Sequence, residues 1–255
     1  MNENWKKMAD NIHLGVLTGI SYVTGLDYYK RINEYFMRSR KPIYSLSPNP
    51  NLVFVSVDCD KYVHLLEKRQ FDKVSNHLME GVKKLVDSGC NYLAIASNTG
   101  HICYEDVKQK YPTLNIIHIA DCIARELKKK SYVNVGLVGT KPTMEENYLI
   151  SRLELHGIKT IVPDSVEDRI KIYDIICNEL SYNIFKDDSR KCIINIINKL
   201  ISNNTNACIL GCTEIELLVK QNDMDDVKLL PSAEIHIRCI ANLLLGKLSL
   251  LEIQP

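Results

Sequence analysis

Apolar positions along the chain fall into short continuous runs that alternate with longer stretches of helical spacing. The runs at 13–18, 52–57, 93–96 and 115–118 are short and bounded by glycine or polar residues, which reads as buried strand. Between them, residues 26–38, 71–87, the stretch from after the Ser97 turn to about Lys110, and 120–130 carry apolar side chains at helical spacing. From residue 133 the order begins again. Strands are expected at 133–138, 160–162, in the apolar run that opens at Asn206 and breaks at Gly211, and at 227–230, and helices after Thr140, near 168–180, 189–201 and 234–245, the last packing back on the first half. Strands alternating with helices predict an α/β fold with mainly parallel sheets.

Two strand-to-turn stretches mirror each other. Asn91-Tyr-Leu-Ala-Ile-Ala96 runs into Ser97-Asn98-Thr99-Gly100-His101, and Ala207-Cys-Ile-Leu-Gly211 runs into Cys212-Thr213-Glu214. The strands that open each half also match, Leu14-Gly15-Val-Leu-Thr18 against Val135-Gly136-Leu-Val-Gly139. Ser97 follows Gly15 by 82 residues, and Cys212 follows Gly136 by 76. Such spacing predicts a duplicated αβ lobe: residues 1–118 with 226–255 as one, 119–225 as the other. The crevice is expected at the carboxyl ends of the strands, with Ser97 and Cys212 on opposite walls of a cleft between pseudo-two-fold related lobes. Cys212 falls at a strand-to-helix turn, so its thiol is expected to be turn-exposed, with a pKa lowered by the helix N-terminus.

Composition adds mainly exclusions. The 255 residues suffice for two lobes of roughly 100–150 each, and the 45% hydrophobic and 25% charged content is that of a soluble globular protein. A formal net charge of +1 gives no electrostatic case for nucleic acid or an anionic membrane. The apolar run at 241–245 is far short of a bilayer span, and residues 1–7 lack the apolar core of a signal peptide, so a cytoplasmic protein is expected. Nine cysteines without a CxxC pair and seven histidines without HxxxH predict reduced thiols and no metal. Thr18-Gly19-Ile20-Ser21-Tyr22-Val23-Thr24-Gly25 resembles neither a dinucleotide fingerprint nor a phosphate loop, so no nucleotide cofactor is expected. Residues 42–51, with three prolines, read as the most mobile segment. Cys90, Cys122, Cys177, Cys192 and Cys208 read as small core residues, His101 and His236 as hydrogen-bonded structural histidines, and Arg169 and Lys171 as a solvated helix face.

Ser97-Asn-Thr-Gly-His101, Gly139-Thr-Lys-Pro-Thr-Met-Glu145 and Gly211-Cys-Thr-Glu-Ile215 resemble the aspartate/glutamate racemase family, closest to its broad-specificity amino-acid branch. The resemblance runs from about His13 to Leu245. It implies two α/β lobes, no pyridoxal phosphate, no metal, an amino-acid or carboxylate substrate, and a homodimer. It also implies that two residues face the α-carbon from opposite sides: Cys212, matching the second-lobe cysteine, and Ser97, where many members carry the cysteine of Cys-Asn-Thr. Asn98, Thr99, Thr140, Thr213 and Glu214 match substrate-lining positions, and Thr24 is expected to bind substrate beside them. Departures stand beside these matches. Thr18-Gly19-Ile20 replaces Gly-Gly-Met, Thr24-Gly25 replaces a frequent Ser-Thr pair, and Pro231 replaces a frequent aspartate, while His236 still matches.

Removing an α-proton requires a base on one face, a donor on the other and fixed donors for the developing negative charge. A thiolate can be the base, whereas serine is a proton donor that is deprotonated only transiently. Three activities fit: an amino-acid racemase, a decarboxylase or cis–trans isomerase using the single thiol Cys212, as in the distantly similar arylmalonate decarboxylases, and a carboxylate-binding protein without turnover.

Overall fold

The computed structural model describes residues 11–39, 49–201, 205 and 207–255. The initial segment read for a signal peptide and residues 42–48 of the three-proline segment lie outside the described residues. Contact clustering divides the chain into two compact units. The first comprises residues up to Ala96, Gly100–Ile119 and His236–Gln254; the second comprises Ser97–Thr99, Ala120–Ile235 and Pro255.

Strands β1 (Leu14–Thr18), β2 (Leu52–Ser56), β3 (Tyr92–Ile95) and β4 (Asn115–Ile117) form one sheet in the order β2-β1-β3-β4, every pair parallel. Strands β5 (Asn134–Gly139), β6 (Lys159–Ile161), β7 (Ala207–Gly211) and β8 (Lys228–Pro231) form the other in the order β6-β5-β7-β8, again parallel throughout. The repeated order is the duplication that the mirrored motifs predict. Strands β1 and β7 are buried along their whole length, as parallel strands covered on both faces must be, and the edge strand β2 is only half-buried.

The helices are α1 (Tyr22–Ser39), α2 (Cys59–Glu67), α3 (Phe71–Asp87), α4 (Tyr104–Lys110), α5 (Ile119–Lys129), α6 (Lys141–Glu145), α7 (Asn147–Leu155), α8 (Val166–Asn178), α9 (Asp187–Ile201), α10 (Ile215–Leu218) and α11 (Ser232–Leu244). Helix α3 shows why these segments fold as they do. Val74, Leu78, Val82 and Leu85 repeat at helical spacing, all buried, and pack with Leu17, Leu93 and Ile95. The second unit has its own core of Ile172, Ile193, Ile197, Leu210, Ile215 and neighbours.

Three expectations need correcting. Strand β8 pairs with β7, so residues 226–235 cluster with the second unit rather than the first. The helix after Thr140 is two pieces, because Glu146 is extended (φ −101°, ψ 155°). Arg169 is not solvated: its side chain is 17% exposed and donates to Glu145 Oε1 at 3.1 Å and to the Pro163 carbonyl at 2.6 Å. Lys171, 60% exposed, does lie in solvent. Helix α2 was not anticipated, although Asp58 marks its start by accepting from the Asp60 and Lys61 backbone N–H groups.

In the first unit His236 is fully buried, and burial, helped by the neighbouring His101, brings its pKa down to about 3. The ring is therefore neutral. Its Nε2–H donates to the Ile117 carbonyl at 2.8 Å, which leaves Nδ1 to accept the Tyr28 hydroxyl at 2.9 Å. His101 Nε2 accepts the Ile119 N–H at 3.3 Å. Both histidines are the hydrogen-bonded structural residues expected. Cys90, Cys122 and Cys208 are buried, and Cys177 and Cys192 are half-buried.

Candidate active site

Strands β5 and β7 lead into two of the expected site residues. Gly139 pairs with Gly211, so the residues that follow in register are Thr140 and Cys212. A Cβ on Gly139 would stand 2.8 Å from the Gly211 carbonyl oxygen, and one on Gly211 would stand 2.7 Å from Leu137 Cδ1. Glycine at both positions thus lets the two strands close up just before the site residues.

Thr140 caps α6, its hydroxyl accepting the Thr143 N–H at 3.3 Å. The same hydroxyl lies 2.8 Å from Thr99 Oγ1 and 2.9 Å from Thr143 Oγ1. Thr143 Oγ1 also lies 3.1 Å from Thr99 Oγ1 and 3.1 Å from the Tyr148 hydroxyl. Burial raises the Tyr148 pKa, so the phenol stays protonated and the cluster is neutral. Ser97, Asn98 and Thr99 are all buried and cluster with the second unit although they directly follow the first sheet's β3. Asn98 Nδ2 donates to Ser232 Oγ at 2.8 Å, while Asn98 Oδ1 is buried without a partner.

Cys212 departs from its expectation in two ways. It is 5% exposed and belongs to the second unit's core, not to an open turn. Its thiol is also pushed well above the ordinary range, first by burial and then by the Glu214 carboxylate, to which Sγ donates at 3.1 Å. Backbone N–H groups of Glu214 and Ile215 pull the other way and lose. The turn ahead is α10, four residues long, so no extended helix dipole opposes the burial. Thr213 Oγ1 donates to the same Glu214 Oε2 at 2.8 Å. In the ligand-free protein Cys212 is a thiol, not a thiolate. Replacing Glu214 by glutamine removes the repelling charge, so Glu214→Gln should speed alkylation of Cys212 by iodoacetamide at pH 8 by at least about 10-fold. Peptide mass spectrometry reads the rate, with Cys103 and Cys208, whose pKa values are about 12, as slow internal controls. An unchanged rate would show that Glu214 does not hold the proton.

Of the expected site residues, the second unit contains Ser97, Asn98, Thr99, Thr140, Cys212, Thr213 and Glu214. Thr24 belongs to the first unit, buried in the first turn of α1 with its N–H 3.4 Å from Ser21 Oγ. Thr143, Tyr148, Ser232 and Glu216 were not singled out from the sequence. Among the described residues, no group of three or more His, Cys, Asp or Glu side chains is arranged to hold a metal ion, and no helix is long and apolar enough to cross a membrane.

Two of the positions read as departures, Thr18 and Gly25, are in steric contact. A Cβ on Gly25 would stand 2.2 Å from Thr18 Oγ1, so the Thr18 side chain fills the space that a larger residue at 25 would need. Gly25→Thr alone should therefore destabilise the protein by about 1–3 kcal/mol, and Thr18→Gly in the same chain should restore most of it. Denaturant melts of the four proteins of that cycle give the coupling, and additive losses would show the two positions to be independent.

Comparison with known proteins places this arrangement. The sequence pattern of the Asp/Glu/Hydantoin racemase family matches residues 17–240. The crystal structure of a candidate Asp/Glu racemase from Yersinia pestis is 30% identical, with a TM-score of 0.78 over 91% of this chain and 98% of that one. An aspartate racemase homologue from Pyrococcus horikoshii is 29% identical, with a TM-score of 0.72 over 91% and 98%. The broad specificity amino-acid racemase RacX of Bacillus subtilis is 22% identical over 59% of this chain, and the match spans 64% of that relative's length. With two parallel four-stranded sheets and a match across most of its length, the chain belongs to the Asp/Glu/Hydantoin racemase family.

Proposed function

We propose that the protein is a cofactor-independent amino-acid racemase, of aspartate/glutamate type or broader, that moves the substrate α-proton between Cys212 and Ser97. The observation that carries this reading is the pairing at the ends of β5 and β7. A thiol bonded to a carboxylate, Cys212 to Glu214, follows one strand, and a cluster of neutral hydroxyls around Thr140 follows the other. Thr99 and Thr140 supply hydroxyl donors to the substrate carboxylate and to the negative charge that develops on it as the α-proton leaves, while Thr213 holds Glu214 and Asn98 lines the site with Oδ1. Thr24 is expected to bind the substrate as well.

Cys212 must lose its proton before it can take one. Glu214 Oε2, already accepting from Sγ, is the immediate acceptor, and a bound α-ammonium group favours the thiolate by its charge. The thiolate then removes the α-proton from its side while Ser97 donates from the other, inverting the centre; the reverse direction exchanges the roles. In this reading the enzyme needs neither pyridoxal phosphate nor metal and acts in the cytoplasm as a homodimer.

Incubation with L- and D-amino acids in deuterium oxide tests it. Deuterium should enter at Cα with inversion. A single-thiol decarboxylase would exchange nothing with amino acids, and a silent carboxylate-binding protein would gain thermal protection from a ligand without turnover; either result overturns the proposal.

A further inference from the structure

Helix α11 begins in an unusual way. Serine at a helix start ordinarily caps its own helix, its hydroxyl accepting a backbone N–H two or three residues on. Here that task falls to a residue far off in sequence. The buried Glu216 side chain accepts the Ala233 N–H on Oε2 at 2.9 Å and the Glu234 N–H on Oε1 at 3.1 Å. Ser232 Oγ is thereby left for another partner, and it accepts Asn98 Nδ2 at 2.8 Å. With its amide nitrogen engaged, Asn98 has one polar atom remaining: Oδ1, buried and without a partner. Buried carbonyl oxygens are rarely left so, because the desolvation goes uncompensated.

Glu216 lies two residues beyond Glu214, on the single turn α10 that follows Cys212. The turn that follows the thiol therefore also fixes the start of α11, and through Ser232 it fixes the Asn98 amide. We propose that Glu216 is a positioning residue of the site. By capping α11 it frees Ser232 to hold Asn98 with Oδ1 kept as an acceptor for a ligand N–H, which for an amino-acid substrate is the α-ammonium group. The identity of that N–H rests on the racemase reading; the chain from Glu216 to Asn98 does not.

The test is Glu216→Gln, which keeps the volume of the side chain but replaces by an NH2 group one of the two carboxylate oxygens that serve the Ala233 and Glu234 N–H groups. The Ser232 hydroxyl should turn to the uncapped N–H and release Asn98. The KM for the amino acid should rise about 10-fold while kcat changes less than about 3-fold. Ser232→Ala should show the same split, and the double variant should be no worse than the poorer single, because both act through one amide. In parallel, the Asn98 side-chain amide signal in 15N NMR spectra should shift in both single variants. Two results overturn the proposal: a lowered melting temperature in Glu216→Gln with KM and the Asn98 signal unchanged, or losses in KM that multiply in the double variant. If the parent turns over no amino acid, the racemase reading falls and the amide signal alone decides. A shifted Asn98 signal sustains the positioning role, and an unshifted one removes it.

Discussion

Cys212→Ser is expected to lower turnover by at least about 100-fold, the lower end for loss of a positioned acid–base group. The reason lies in the proton inventory of the site. Serine keeps the hydrogen bond to Glu214 that the thiol makes at 3.1 Å, so the ground state changes little, but its hydroxyl has no accessible oxyanion. Stability should fall modestly, by about 1–2 kcal/mol, because the thiol is buried in the second unit's core and a hydroxyl there must stay satisfied by Glu214. Activity and melting temperature measured on one preparation separate the two effects. Turnover near that of the parent would remove Cys212 from the chemistry, and with it every mechanism considered for this chain.

That prediction draws on a residue legible in the sequence and on a state that was not. The strands could be read because each is a short apolar run buried on both faces, and β1 and β7 show it along every residue. The repeat could be read because the same run-then-turn pattern occurs twice, and both sheets have the same strand order. Helix α2 escaped because its apolar positions follow Asp58 directly after a strand, in a stretch short enough to pass for a loop. Thr143 and Ser232 escaped because their meaning depends on partners distant in sequence, Thr99 for one and Asn98 for the other. The protonation of Cys212 escaped for a further reason. Sequence places a thiol at a turn, but its pKa is set by burial and by a carboxylate whose orientation only packing determines. The bounds of β8 were close to expectation and its sheet was not, because an apolar run does not state which neighbour it will pair with.

Ser97 carries the second large effect. In the proposed mechanism a hydroxyl opposes a thiol, and the two proton transfers are chemically unequal. Cys212 can pass its proton to Glu214 and regain another from the same carboxylate, so a proton taken from the substrate on that side is open to exchange. Ser97 is buried and acts best as a donor; accepting a proton requires the alkoxide to form as the α-proton departs. The enantiomers have equal free energy, so kcat/KM must be the same in both directions. Asymmetry can then appear only as matched differences in kcat and KM, or as unequal deuterium wash-in. The enantiomer whose α-proton faces Cys212 should exchange with solvent faster than it inverts. Ser97→Ala should abolish inversion and leave part of that one-sided exchange, whereas Ser97→Cys should retain or raise racemisation. Proton NMR of the α-position, combined with chiral chromatography, follows exchange and inversion in one reaction. If Ser97→Ala racemises as fast as the parent, Ser97 serves only the turn after β3, and the second proton comes from another group.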